Sequence, residues 1–150
     1  MVNLPLLGQR SFLIDCDVLQ ADGGTRTASI TGGFIALSLA VRTLMGRRLL
    51  EYSPLADFVA ATSVGIINGT PCLDLDYSED SGASVDMNLV MTGGGHFVEI
   101  QGTAEKTAFT QQELQSMLAL GSQGIGQLID RQKAVLASRC DLKRLFPTLR

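Results

Sequence analysis

Two short stretches of the sequence place side chains able to do chemistry together. The first is Gly23-Gly24-Thr25-Arg26, inside "ADGGTRTASITGG", between a strand-like run and a helix-like one. A glycine turn that opens a helix presents backbone N–H groups at the positive end of the helix dipole, which suits an oxyanion. Thr25 adds a hydroxyl donor, and the planar fork of Arg26 matches phosphate oxygens. Neither a Walker loop nor the three-glycine dinucleotide fingerprint is present. Spacing alone therefore favours a plain turn with a threonine cap over an anion site at Gly24, Thr25 and Arg26. The second stretch is acidic. No Lys or Arg stands between Glu51 and Glu105, yet Asp57, Asp74, Asp76, Glu79, Asp80, Asp86 and Glu99 do. Clustered carboxylates repel one another unless they face water or a cation. Asp80 and Asp86 flank a short loop into a strand, where two oxygens can hold Mg²⁺ through its remaining waters. An EF-hand loop from Asp74 fails, because Glu79 stands where the turn glycine belongs and Val85 where the bidentate Glu belongs. Taken alone, the cluster fits a solvated acidic loop as well as it fits a metal site.

The remaining reactive residues read more plainly. His96, the one histidine, adjoins a glycine turn with no nucleophile motif beside it and reads as a hairpin residue. Cys16, Cys72 and Cys140 are odd in number, far apart and without metal-ligand spacing, which suits reduced thiols in a cytoplasmic protein. Cys16 and Cys72 fall in strand-like runs and are expected in the core. Arg47 and Arg48 complement a helix C-terminus. The net charge of −3 gives no bulk argument for nucleic-acid binding, so any RNA site has to be local. The opening "MVNLPLLGQR" lacks the layout of a signal peptide. No stretch approaches the roughly 18 consecutive apolar residues of a membrane span. A cytoplasmic location without a membrane partner is expected.

The elements that must position these residues can be read from periodicity. "SFLIDCDVLQ" (11–20) alternates and predicts a strand. From Arg26 to about Met45 the apolar positions form a helical stripe that ends near Gly46. "DFVAATSVGII" predicts a long, mostly buried strand, and Asn68-Gly69 a hairpin turn into "PCLDLDY", with Leu73, Leu75 and Tyr77 on one face. A loop rich in Ser and acid comes next, then "VDMNLVM" and "HFVEIQG" as a second strand pair. Thr110 with Glu113 forms a capping box before a long amphipathic helix running to Leu136. The basic tail from Ser138 is expected to be loosely held. The length, 150 residues, suits a single domain over 1–150 with its core at about 10–136 and a tail over 137–150. Strand, helix, four strands, helix makes an α+β fold, a mixed sheet with two main helices packed on it.

Three blocks, "DCDVLQADGGTRTASITGG", "VAATSVGIINGTPCLDLDYSEDSGASVDMNLVMT" and "EIQGTAEKTAFTQQEL", resemble the bacterial ribonuclease PH family over about residues 10–136. The family is related to polynucleotide phosphorylase and the exosome ring subunits. The resemblance implies the ribonuclease PH / ribosomal protein S5 domain 2-like fold and a phosphorolytic 3′-to-5′ exoribonuclease, a phosphate-dependent nucleotidyltransferase. Such an enzyme trims tRNA 3′ ends, with a role in rRNA processing, and releases nucleoside diphosphates. It also implies RNA and tRNA binding, a hexameric ring made of dimers, inorganic phosphate as co-substrate, and Mg²⁺ or another divalent cation. Gly24, Thr25 and Arg26 would hold the phosphate. Asp80 and Asp86 would bind the metal and assist departure of the ribose 3′-oxygen, one of them as general acid.

The family's chain has a further N-terminal portion, expected to be absent here. Its loss is expected to remove strands, RNA-contacting basic residues and part of the ring interface, and to leave apolar surface or an open sheet edge. The competing reading is a catalytically incompetent remnant acting only as an associating subunit. A hydrolytic metal-dependent nuclease is a third, suggested by the acidic cluster and opposed by the phosphate turn.

Overall fold

The computed structural model describes residues 1–148. In chain order the elements are α1 (Leu4–Leu7), α2 (Thr25–Gly46), β1 (Val59–Ile67), β2 (Thr70–Leu73), α3 (Tyr77–Gly82), β3 (Val85–Thr92), β4 (Phe97–Ala104), α4 (Gln111–Ala137) and α5 (Leu142–Leu145). The strands form one sheet in the order β2-β1-β3-β4. All three ladders are antiparallel, where a mixed sheet was expected. The difference comes from residues 11–20, which have the alternation of a strand but pair with nothing in the sheet. They lie against α2, with Cys16 Sγ 3.8 Å from the Ser29 carbonyl, and leave Leu13 and Leu19 almost wholly in solvent. Cys16 is thus exposed, and Cys72 on the short β2 is only half-buried, so neither is a core residue.

One face of the sheet is apolar and takes α4. Val64, Val85, Met87 and Leu89 are buried there beneath Met117, Ile125 and Ile129. The capping box that starts α4 is present: Thr110 Oγ1 accepts the Glu113 N–H at 3.2 Å, and the Glu113 carboxylate accepts the Thr110 N–H at 2.7 Å.

α2 docks on the part of β1 that β2 does not reach. Thr31 Oγ1 donates to the Ala61 carbonyl at 3.1 Å and accepts its N–H at 3.0 Å, taking the place of a neighbouring strand. Gln132 of α4 fastens the junction by donating to both Thr31 and Val59 carbonyls at 2.9 Å. Over its most apolar window α2 has a mean hydropathy of 1.5, long and apolar enough by those two measures to cross a bilayer, although no apolar run is unbroken. In this fold its Phe34, Val41 and Met45 enter the core.

As far as residue 148 the tail is held more firmly than its composition suggests; its last two residues lie outside the described ones. Asp141 caps α5, and Leu145 and Phe146 are buried. Phe146 stacks on Phe58 with ring centroids 4.3 Å apart, and both tilt against Phe34. Such pairs contribute about 0.5–1.5 kcal/mol beyond area burial.

Two local expectations also give way. β2 stops at Leu73 because Asp74 turns to φ +57°, so Leu75 is buried off the strand and Tyr77 begins a helix, exposed. The Ser- and acid-rich loop is α3, started by a second capping box: Asp76 accepts the Glu79 N–H at 2.8 Å, and Glu79 accepts the Asp76 N–H at 3.2 Å. The hairpin turn is as expected, with Asn68 at φ +50° and Gly69 at φ +79°.

Candidate active site on the polar face of the sheet

The second face of the sheet is polar. Ser63 and Gly65 on β1 stand opposite Asn88 and Asp86 on β3, which stand opposite Gln101 and Thr103 on β4. Because side chains alternate along each strand, these residues and Glu99 share one face.

The glycine turn before α2 closes over this face. Gly24 is the N-cap of α2 at φ +70°, a conformation that favours glycine, and no side chain caps the helix. The expected threonine cap is therefore not made: Thr25 is the first helical residue, and Thr27 Oγ1 instead donates to the Gly24 carbonyl at 2.8 Å. The first-turn N–H groups of α2 are left without a side-chain acceptor, as an anion site requires. A Cβ on Gly23 would overlap the Leu75 carbonyl oxygen, so only glycine lets the turn lie this close to the strand–helix junction at 73–77. Asp22 ties the two together. Its Oδ1 accepts the Tyr77 N–H at 2.6 Å and the Gly23 N–H at 2.8 Å, and these bonds hold its carboxyl below the ordinary value of 3.8. Ser63 does the same from beneath, accepting the Leu75 N–H on Oγ at 3.1 Å and the Asp74 N–H on its carbonyl at 2.9 Å.

Arg26 reaches across the sheet to β4. Its Nη2 donates to Glu99 Oε2 at 2.8 Å and its Nη1 to Gln101 Oε1 at 3.4 Å. The hydrogen bond from Arg26 is the main cause holding the Glu99 carboxyl below its usual range, and Glu99 in turn raises the Arg26 value. The guanidinium remains half-exposed.

Asp80 lies on α3 and Asp86 at the start of β3, both half-buried. Burial pushes the Asp86 carboxyl above its ordinary value; the charge of Asp80, and more weakly that of Glu105, push the same way, while the Met87 backbone N–H opposes them. The two aspartates are thus close enough to repel. Gln101, which Arg26 contacts, pairs with Asn88, two residues from Asp86 on the same strand and face, a separation of about 7 Å. Arg26 therefore reaches the sheet face that carries Asp86.

Among the described residues no group of three or more His, Cys, Asp or Glu side chains is disposed to hold a metal. The pair Asp80 and Asp86 still fits a hard cation, since both offer carboxylate oxygens, they repel each other without one, and Mg²⁺ keeps most of its water. His96 lies at the β3–β4 turn, where its N–H approaches Thr92 Oγ1 at 3.3 Å, as a hairpin residue would.

The positions that Asp22, Ser63, Glu99 and Gln101 take at the site were not singled out from the sequence. An aspartate just before a Gly-Gly turn is a signal for the first of them. The other three depend on strand register.

Residues 57–124 match the model of the 3′ exoribonuclease family, domain 2. Ribonuclease PH of Syntrophomonas wolfei is 59% identical over 136 residues, which cover 91% of this chain and 57% of that protein. Ribonuclease PH of Solibacter usitatus is 55% identical over 135 residues, with 90% and 57% covered. The chain is therefore similar to the part of ribonuclease PH that holds domain 2 of the 3′ exoribonuclease family. It spans a little over half the length of these relatives. The fold recurs in the crystal structure of rice (Oryza sativa) Rrp46, at a TM-score of 0.64 and 16% identity, covering 79% of this chain and 51% of that one.

Proposed function

We propose that the polar face of the sheet serves phosphorolysis at an RNA 3′ end. Inorganic phosphate sits on the Gly24, Thr25 and Arg26 turn, donated to by backbone N–H groups and the guanidinium fork. One of its oxygens forms a bond to the phosphorus of the last phosphodiester, the bond from that phosphorus to the preceding ribose 3′-oxygen breaks, and a nucleoside diphosphate leaves. The departing oxygen takes a proton from Asp80 or Asp86. A divalent cation such as Mg²⁺, held by Asp80 and Asp86, would supply neutralising charge where two phosphates meet. Trimming of tRNA 3′ ends, a part in rRNA processing and assembly of copies into a ring of dimers belong to the same proposal. The observation that carries it is an uncapped helix start whose arginine reaches the sheet face that carries Asp86.

The test monitors nucleotides released from a 3′-extended tRNA with Mg²⁺, with and without inorganic phosphate. Nucleoside diphosphates that appear only with phosphate are expected, and Arg26→Ala is expected to weaken phosphate use far more than RNA binding. Equal losses in both would make Arg26 an RNA contact. Nucleoside monophosphates would point to hydrolysis. No release from folded protein would favour an associating subunit without activity of its own.

A further inference from the structure

More than half of the described positive side chains that the candidate site does not use gather at the far end of α2. Arg42 lies on the last turns of α2, and Arg47 and Arg48 come just after it; Arg139, Lys143 and Arg144 lie after α4 and on α5. All six are exposed. Arg42, Arg139 and Arg144 line one cleft of about 420 Å³, in which Asp141 is the single carboxylate among the described residues. Asp141 already accepts the Lys143 N–H at 2.9 Å as the cap of α5.

Helix ends do not account for this charge. The C-termini of α2 and α4 converge here, each equivalent to roughly half a negative charge. With Asp141 they offset about two of the six positive charges. The side-chain hydrogen bonds of Lys and Arg among the described residues come from Arg10, Arg26, Lys106 and Lys133, and the two ion pairs use Arg26 and Lys133. The cluster at the cleft is thus unpaired in a chain whose net charge is −3.

We infer that this cleft binds phosphodiester groups of an RNA strand whose 3′ end lies on the polar sheet face at Arg26, an inference that rests on the proposed function. Five of the six residues are arginines, whose planar fork grips phosphate in pairs of bonds. The cleft is concave, as a strand needs. Its place on α2 sets the length of RNA required. Arg26 and Arg42 are separated by about 24 Å along the helix axis. At about 3.4 Å per stacked nucleotide, the RNA must exceed roughly seven nucleotides to touch both ends.

Fluorescence anisotropy with 5′-labelled single-stranded RNAs of 12 and 5 nucleotides, without inorganic phosphate and from 50 to 200 mM salt, tests this directly. The wild-type chain is expected to bind the longer RNA at least tenfold more tightly at 50 mM salt, an order-of-magnitude figure for several added phosphate contacts. The variant Arg42→Ala/Arg139→Ala/Arg144→Ala, checked for folding by circular dichroism, should lose that advantage. Its slope of log affinity against log salt should fall by about 2, at about 0.7 per phosphate. Arg131→Ala, outside the cleft, should keep the length advantage. Where the triple variant fails to fold, Arg144→Ala carries the expectation with a slope change of about 0.7. Equal binding of the two RNAs by the wild-type chain, or a folded variant that keeps the length advantage, overturns the inference. Length-dependent binding that the variant loses, in a chain that releases no diphosphate, would leave the cleft standing and overturn the proposed phosphorolysis instead.

Discussion

Arg26 holds two roles in tension, because the fork that suits phosphate is engaged by Glu99 and Gln101. In the proposed reaction an incoming phosphate would compete with a carboxylate already in place. Glu99→Gln removes that competing charge and keeps a polar partner, so titration calorimetry with inorganic phosphate is expected to show binding a few-fold tighter. A modest change is the scale of an exposed ion pair. Weaker binding would mean that Glu99 aims the guanidinium rather than blocking it. Arg26, Asp80 and Asp86 stand out in the sequence as candidates, because a run without cations makes its carboxylates conspicuous and a glycine turn marks the helix start. Spacing alone, however, favours a plain turn and fits a solvated loop equally well, and the family resemblance is what singles them out. The role of Glu99 is not legible, because its meeting with Arg26 depends on β4 lying two strands from β1, which no local pattern encodes.

Between elements, the connection that matters most is the clamp from Asp22 to α3. It sets the glycine turn against the helix that carries Asp80, through the Tyr77 N–H. The Asp22 carboxyl titrates below its ordinary 3.8 because the folded chain stabilises its charged form. Its contribution to docking is therefore complete above that value and is lost as the pH falls through the lower folded value. The Tyr77 amide resonance is expected to shift with a midpoint below 3.8, and Asp22→Ala to remove the shift and speed hydrogen exchange across α3. A midpoint at or above the ordinary value would detach the clamp from the turn. α3 itself is readable in principle, since Asp76 and Glu79 spell a capping box, but a four-residue signal is hard to separate from an acidic loop. The tail misleads for a different reason. Its basic residues suggest a solvated end, whereas Phe146 finds Phe58 only once the sheet and α2 are assembled.

For the molecule as a whole, the open question is the role of residues 11–20. Their alternation reads as a strand because period two describes how a segment sits in a sheet, and it says nothing about whether a neighbour exists. Among the described residues, no backbone hydrogen bond joins 11–20 to any other segment, and Leu13, Ile14, Val18 and Leu19 are all exposed. Amide hydrogen exchange is then expected to separate the chain into two classes. Val64 and Leu89, at the centre of paired and buried strands, should exchange only through global opening, while amides at 11–20 should exchange at close to unfolded-peptide rates. The measurement is made at two protein concentrations. Protection at 11–20 equal to that of β4 would mean that the segment has found a strand partner. If that protection rises with concentration, the partner is another copy, and the apolar alternation acts as the adhesive edge that an unpaired strand presents.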